Sequence, residues 1–175
     1  MNISEDAKER CDMEAPGTKC ELSEHANVLR GVDVFSSLPM ERLKLLAFLS
    51  KRVSYGEGEF LFRQGDLDPH GYILISGVAE VMREYETHSL ILARLQAGDF
   101  FGGLALLSNI RRLFSARAVE NLDVLRIDRE SFQKIMIQFP EMGIRVVDAM
   151  IQRITEFEEK LFRTHVHKSV AESRQ

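Results

Sequence analysis

The chain has 175 residues, 45% of them apolar, and a formal net charge of −4, which suits one domain with a sizeable core plus a short accessory segment. No apolar run approaches the roughly 18 residues of a membrane span, and MNISEDAKER lacks the basic-then-apolar pattern of a secretion signal, so a soluble cytoplasmic protein without a membrane partner is expected. Residues 1–28 hold seven acids against three bases and the rest balances at 20 of each sign, an acidic leader on a neutral body with no footprint for direct nucleic-acid binding.

Residues 1–25 are polar, with Pro16 and Gly17 midway and no sustained periodicity, and read as a mobile acidic leader. Structure is expected to begin near Asn27, with a short helix and turn over Val28–Pro39. Ser37 is placed to cap the next helix, with Pro39 and Glu41 in its first turn. That helix should end near Ser50 and set Leu43, Leu46 and Ala47 on one face, widened by Leu45, Phe48 and Leu49.

From Arg52 to Asp128 short runs of Val, Ile, Leu and Phe alternate with Gly and Asp. The expected strands are Glu59–Phe62, Tyr72–Ile75, Val78–Arg83, Ser89–Leu95, Ser115–Val119 and Leu122–Ile127. Strands this short and this regularly spaced imply a mainly β fold with flanking helices, an antiparallel β-barrel or jelly roll. The domain is bounded at 27–139. Ser131–Phe139 is a short helix stopped by Pro140, followed by a long C-terminal helix over 140–163 and a polar tail over 164–175. Val147, Met150, Ile154, Phe157 and Leu161 recur at spacings of three and four on that helix. The stripe suits either a seam between two subunits, giving a homodimer, or packing on the chain's own barrel.

No catalytic constellation is present: Gly-x-Ser-x-Gly, a P-loop and His-Glu-x-x-His are all missing. Glu156, Glu158, Glu159 and Lys160 read as a solvated helix face, and the chain is not expected to be an enzyme. Cys11 and Cys20 are too few for a four-thiolate metal or iron–sulfur site. They are either thiols without a role or a redox switch, and no metal site is expected.

The remaining signal lies in three motifs. Tyr55-Gly56-Glu57-Gly58-Glu59 with Phe62-Arg63-Gln64-Gly65-Asp66 reads as a turn-strand-turn, and Tyr72–Val81 as a hairpin around Gly77. Gly98-Asp99-Phe100-Phe101-Gly102 then leads into Gly103-Leu104-Ala105-Leu106, with Arg112 nine residues after Gly103. Together these resemble the cyclic-nucleotide-binding superfamily, of the catabolite activator and protein kinase A regulatory subunit type, over residues 29–163. Reading backward from Asp128 places Ser115–Glu120 on the family's strand after its cassette arginine, and so gives Arg112 the same register.

The resemblance implies a phosphate-binding cassette. A ligand would meet Phe101, Gly102, Gly103, Leu104 and Ala105 on one side, and Arg111, Arg112, Leu113, Phe114 and Ser115 on the other. Glycine at the turn permits positive φ, backbone N–H groups offer an anion site, and Arg112 adds a charged fork. The other reading of Arg112 is an exposed loop arginine. Phe100 and Phe101 are expected in the core, and Arg117 on the solvent face. The implied ligand is cyclic AMP or cyclic GMP, or another phosphate-bearing molecule. Its signal would pass to an effector protein through movement of the C-terminal helix.

Four residues depart from the family pattern. Gly103 replaces a glutamate that accepts from the ribose 2′-hydroxyl, Leu113 and Phe114 replace two small residues, and Arg111 replaces a proline. A degenerate, ligand-free dimerisation or docking scaffold is therefore the alternative, and a haem or redox sensor a third. Only about a dozen residues follow Phe162, so a module without the helix-turn-helix of the transcription factors is expected.

Overall fold

The computed structural model describes residues 18–86, 88–141, 143–152, 154, 155 and 159. Helix α1 spans Thr18–Arg30, α2 Asp33–Ser36 and α3 Met40–Phe48. Structure thus begins at least nine residues before Asn27, and Cys20 lies within α1 rather than in a leader. Leu22, Ala26 and Leu29 recur at helical spacing, and Ala26 and Leu29 are buried, so this polar-looking segment has one apolar edge to pack. Cys11, Phe157, Leu161 and the tail lie outside the described residues.

Ser37 does not cap α3. The N-cap is Pro39, extended and without a side-chain cap bond, and the Ser37 carbonyl instead accepts from Arg145 Nη1 at 2.9 Å. Leu43, Leu46 and Ala47 are buried as expected, but Phe48 is 70% exposed because it turns away on the last turn of the helix.

Eight strands follow: β1 (Ser50–Tyr55), β2 (Phe60–Phe62), β3 (His70–Ser76), β4 (Ala79–Glu84), β5 (Ser89–Leu95), β6 (Phe100–Phe101), β7 (Ser115–Ala118) and β8 (Leu122–Asp128). They form two four-stranded antiparallel sheets, ordered β1-β8-β3-β6 and β2-β7-β4-β5, the jelly-roll arrangement. Strand alternation splits the core in two. Leu122 and Val124 of β8 and Tyr72 and Leu74 of β3 fill the roll with Leu61, Phe62, Phe101 and Ala116. Leu125, Ile127, Ile73 and Phe100 face the other way, onto Leu29, Phe35, Leu43 and Leu46 of the helices. The central strands β3 and β8 of the first sheet are therefore buried on both faces, which fixes their register.

Helix α4 (Leu104–Leu107) follows β6, and α5 (Arg129–Gln138) follows β8. The Asp128 side chain caps α5 by accepting from Ser131 N–H at 3.0 Å. Beyond it the C-terminal helix begins at 140 and is helical at the described positions through 155. Its Val146 and Met150 are buried in the helical cluster. Met150, placed by its spacing in the same stripe as Val147 and Ile154, thus belongs to the domain's own core, while Val147 and Ile154 are exposed beside Ile144 and Ile151. No helix among the described residues is long and apolar enough to cross a membrane.

Candidate functional site

The segment between β6 and α4 is set by β3. Gly98 N–H donates to the Leu74 carbonyl and Leu74 N–H to that of Asp99, and Phe101 then pairs with Tyr72. At Gly102 the chain turns with φ +74°, a conformation that side chains resist. A Cβ there would also lie 2.7 Å from Arg112 Nη1. Glycine is thus required twice at this position, once by backbone conformation and once by the approach of the guanidinium.

Arg112 is 6% exposed. Its Nε and Nη2 donate to Asp68 Oδ2 at 3.2 and 2.5 Å, Nη1 donates to the Gly102 carbonyl at 3.1 Å, and Nη2 also donates to the His70 carbonyl. The guanidinium carbon lies 4.1 Å from the Phe62 ring centroid, a favourable cation–π position. Phe62, Tyr72 and Phe101 form one aromatic group beneath it, with Tyr72 and Phe101 stacked at 5.4 Å.

Asp68 is the hub of this cluster. Besides Arg112 it accepts from His70 Nδ1 at 2.5 Å and from the Tyr72 hydroxyl at 3.0 Å. Burial opposes its ionisation, but the hydrogen bonds from His70 and Arg112 outweigh that and hold its carboxyl below the usual carboxylate range. Burial, followed by the charge of Asp68, pushes the Tyr72 hydroxyl well above its ordinary value. Sequence reasoning missed Asp68, His70, Tyr72 and Phe62 as site residues. The one available signal was an acid two residues past the Gly65-Asp66 turn and two before His70.

Gly103 is crowded rather than vacant. A Cβ there would lie 2.7 and 2.8 Å from Phe100 Cε1 and Cζ, and 3.1 Å from Met150 Cε. Phe100 is buried and meets Phe35 edge-on at 5.3 Å, so its ring has little room to retreat. The C-terminal helix therefore packs against the segment at the position where the resemblance implies a glutamate.

The structure brings Phe101, Gly102, Gly103 and Arg112 together but disperses the other expected residues. Leu113 is 60% exposed and fills no pocket, whereas Phe114 packs on the roll interior. Arg111 donates to the Gly65 carbonyl at 2.9 Å, and Ser115 Oγ donates to Glu84 Oε1 at 3.0 Å. Leu104 is exposed, and Ala105 is buried with its N–H spent on the Gly102 carbonyl. Arg117 is only partly exposed and pairs with Glu80, which Arg94 also holds.

Helix α4 is in turn tied to α5. Arg129 Nε donates to the Ala105 carbonyl, and Gln133 Nε2 donates to the Leu106 and Leu107 carbonyls at 3.3 Å. Any shift of the segment around Gly102 would thus be felt by both α5 and the C-terminal helix. Among the described residues no group of three or more His, Cys, Asp or Glu side chains could hold a metal ion.

Residues 52–139 match the family model of the cyclic nucleotide-binding domain. The chain is 31% identical over 122 residues to the cGMP-dependent protein kinase 2 of Mus musculus, a match covering 68% of this chain and 16% of the kinase. It is 29% identical over 129 residues to the cyclic AMP receptor protein of Thermus thermophilus, covering 73% of this chain and 60% of the receptor. Among solved structures, the cyclic nucleotide-binding-like protein of Brucella abortus superposes with a TM-score of 0.60 at 30% identity, over 65% of this chain and 97% of that one. The jelly-roll fold agrees with these matches, and the chain belongs to the cyclic nucleotide-binding domain family.

Proposed function

We propose that this chain is a non-catalytic cytoplasmic sensor that takes cyclic AMP, cyclic GMP or a related phosphate-bearing ligand at Gly102–Gly103 and Arg112. The ligand's arrival would be passed to an effector protein through the C-terminal helix. The observation that carries this reading is the packing of Met150 at Gly103, 3.1 Å from where a side chain would begin. This contact supports the reading, because a shift of the Gly102–Gly103 turn would displace the C-terminal helix and the reverse. Relatives named for cyclic AMP and cyclic GMP support the ligand class. Such a switch needs different ligand affinities in its two helix positions.

Calorimetric titration of cyclic AMP and cyclic GMP into the wild type and Arg112→Ala tests the reading. Saturable binding is expected, weakened about 10- to 100-fold in the variant, the equivalent of one charge-assisted hydrogen bond of about 1.5–3 kcal/mol. Absence of binding at millimolar ligand would refute it.

A second reading, a dimerisation scaffold, draws on Ile144, Val147, Ile151 and Ile154. All four are exposed, at spacings of three, four and three along one helix face. Sedimentation at several concentrations should show a dimer that Ile151→Asp splits. A monomeric wild type would exclude it.

A further inference from the structure

Alternation along the second sheet separates its charges from its core. Leu61, Ala79, Ala116 and Ala118 face the roll interior, which turns Glu80 and Arg117 outward. The outward residues stand in one register row across all four strands. Phe60 on β2 pairs with Arg117 on β7, Arg117 with Glu80 on β4, and Glu80 with Arg94 on β5. Helices α1, α3, α4 and α5 pack instead on β1, β3 and β8 of the first sheet.

The row holds more positive charge than its own neutralisation needs. Glu80 is 6% exposed and takes both arginines: Arg94 Nε and Nη2 donate to its Oε1 at 3.1 and 2.9 Å, and Arg117 Nη2 donates to its Oε2 at 3.5 Å. The two arginine side chains nonetheless stay 66% and 41% exposed. At the other end of the row the exposed Arg63 lies over the Phe60 ring at 3.7 Å and pairs with no carboxylate among the described residues. Of the neighbouring acids, Glu59 accepts from the Gly56 N–H and Glu84 from Ser115 Oγ. Three guanidiniums thus share one buried carboxylate. Most of their N–H groups, five on each, have no partner among the described residues.

We infer that this face docks an acidic, extended segment of a partner protein, with carboxylates at alternate positions. Strands lie about 4.8 Å apart, so the row from Phe60 to Arg94 spans about 14 Å, and carboxylates at i, i+2 and i+4 of an extended chain span about 13 Å. Each arginine can take a carboxylate on an uncommitted edge. Ile91 pairs with Met82 and so lies on the same face, one row along, and is 50% exposed. An apolar side chain among the guanidiniums suits a polypeptide better than a nucleic acid, which brings phosphates alone to such a row. No cassette residue takes part, so the docking face stands or falls apart from the ligand site.

The test is fluorescence anisotropy of a fluorescein-labelled peptide of alternating glutamate and alanine, titrated with the full chain at low and at physiological salt. The proteins are the wild type, Arg94→Gln, Arg63→Gln and the double variant. Lys44→Gln, at an exposed position on α3, removes the same charge elsewhere. The wild type is expected to bind saturably, and less tightly as salt rises. Each single variant should lose about 1.5- to 5-fold in affinity, the value of one exposed ion pair, and the double variant the product of the two. Lys44→Gln should lose nothing. Absence of binding by the wild type, an equal loss in Lys44→Gln, or an unchanged affinity in the double variant overturns the inference. A labelled oligothymidine bound as tightly as the peptide also overturns it, because the face would then be a general polyanion site. Arg63→Gln, which breaks no ion pair, carries the comparison alone should Arg94→Gln fail to fold.

Discussion

Gly103→Ala is the sharpest single perturbation of the site, because its cost follows from distances. The added methyl would sit 2.7 and 2.8 Å from two ring carbons of Phe100 and 3.1 Å from Met150 Cε, against the 3.5–4.0 Å at which carbon atoms pack. Phe100, on β6, is buried with its ring edge-on to Phe35, and Met150 is the more compliant neighbour. Overpacking of this kind costs about 1–3 kcal/mol. Gly103 has φ −60° and ψ −30°, which alanine adopts without strain, so the lost freedom of the unfolded chain returns about 0.4–1 kcal/mol. The net destabilisation is about 1–2 kcal/mol, or about 2–8 °C in Tm for a chain of this size. Differential scanning calorimetry of the two proteins measures it. Gly103→Glu carries the same Cβ and should melt at least as low. A Tm equal to or above the wild type for either variant would show that Phe100 does not close this position.

Two further outcomes follow from buried polar groups. His25 is buried and its Nε2 has no hydrogen-bond partner among the described residues, Glu21 Oε1 being 3.9 Å away; leaving such an atom unpaired costs about 1–3 kcal/mol. His25→Leu should therefore raise the Tm by a few degrees, and a fall would refute the reasoning. Asp68 has a folded-state pKa held below its unfolded value, so its contribution is complete above the usual carboxylate range and is lost as pH falls through the depressed value. Chemical denaturation at stepped acid pH should show a shallower acid limb in Asp68→Asn than in the wild type, and parallel limbs would show that Asp68 is not linked to folding.

Strand positions were legible in the sequence where apolar residues alternate with glycine-bounded turns. Ser89–Leu95 coincides with β5, and the other five expected strands fall within two residues of their observed ends. The two missed strands lack that signal. β1, SKRVSY, shows the solvent Lys51, Arg52 and Ser54 and owes its place to β8, and β6 is only two residues long. On the C-terminal helix, spacings of three and four fit two neighbouring stripes equally well. The domain's own core takes Val146 and Met150, leaving Ile144, Val147, Ile151 and Ile154 to the surface, and no periodicity decides which stripe faces inward. Arg112 was found because register can be counted along a chain. Asp68 was not, because its role depends on the 66–69 segment returning beside a residue 44 positions away.

Gly103 shows the same limit from the other direction. In the sequence, glycine in place of a glutamate reads as a contact removed from an otherwise intact site. In the structure the space is taken by the ring of Phe100 and the methyl of Met150, and both residues belong to the helical core. The three form one packing unit, in which a small residue at 103 is the condition for the aromatic ring and for the seating of the C-terminal helix. Restoring a carboxylate at 103 alone would then cost the helix contact before it could gain a ligand contact. Asp68, by contrast, makes its contact without any change at 103, its carboxylate lying 2.5 and 3.2 Å from the Arg112 guanidinium nitrogens.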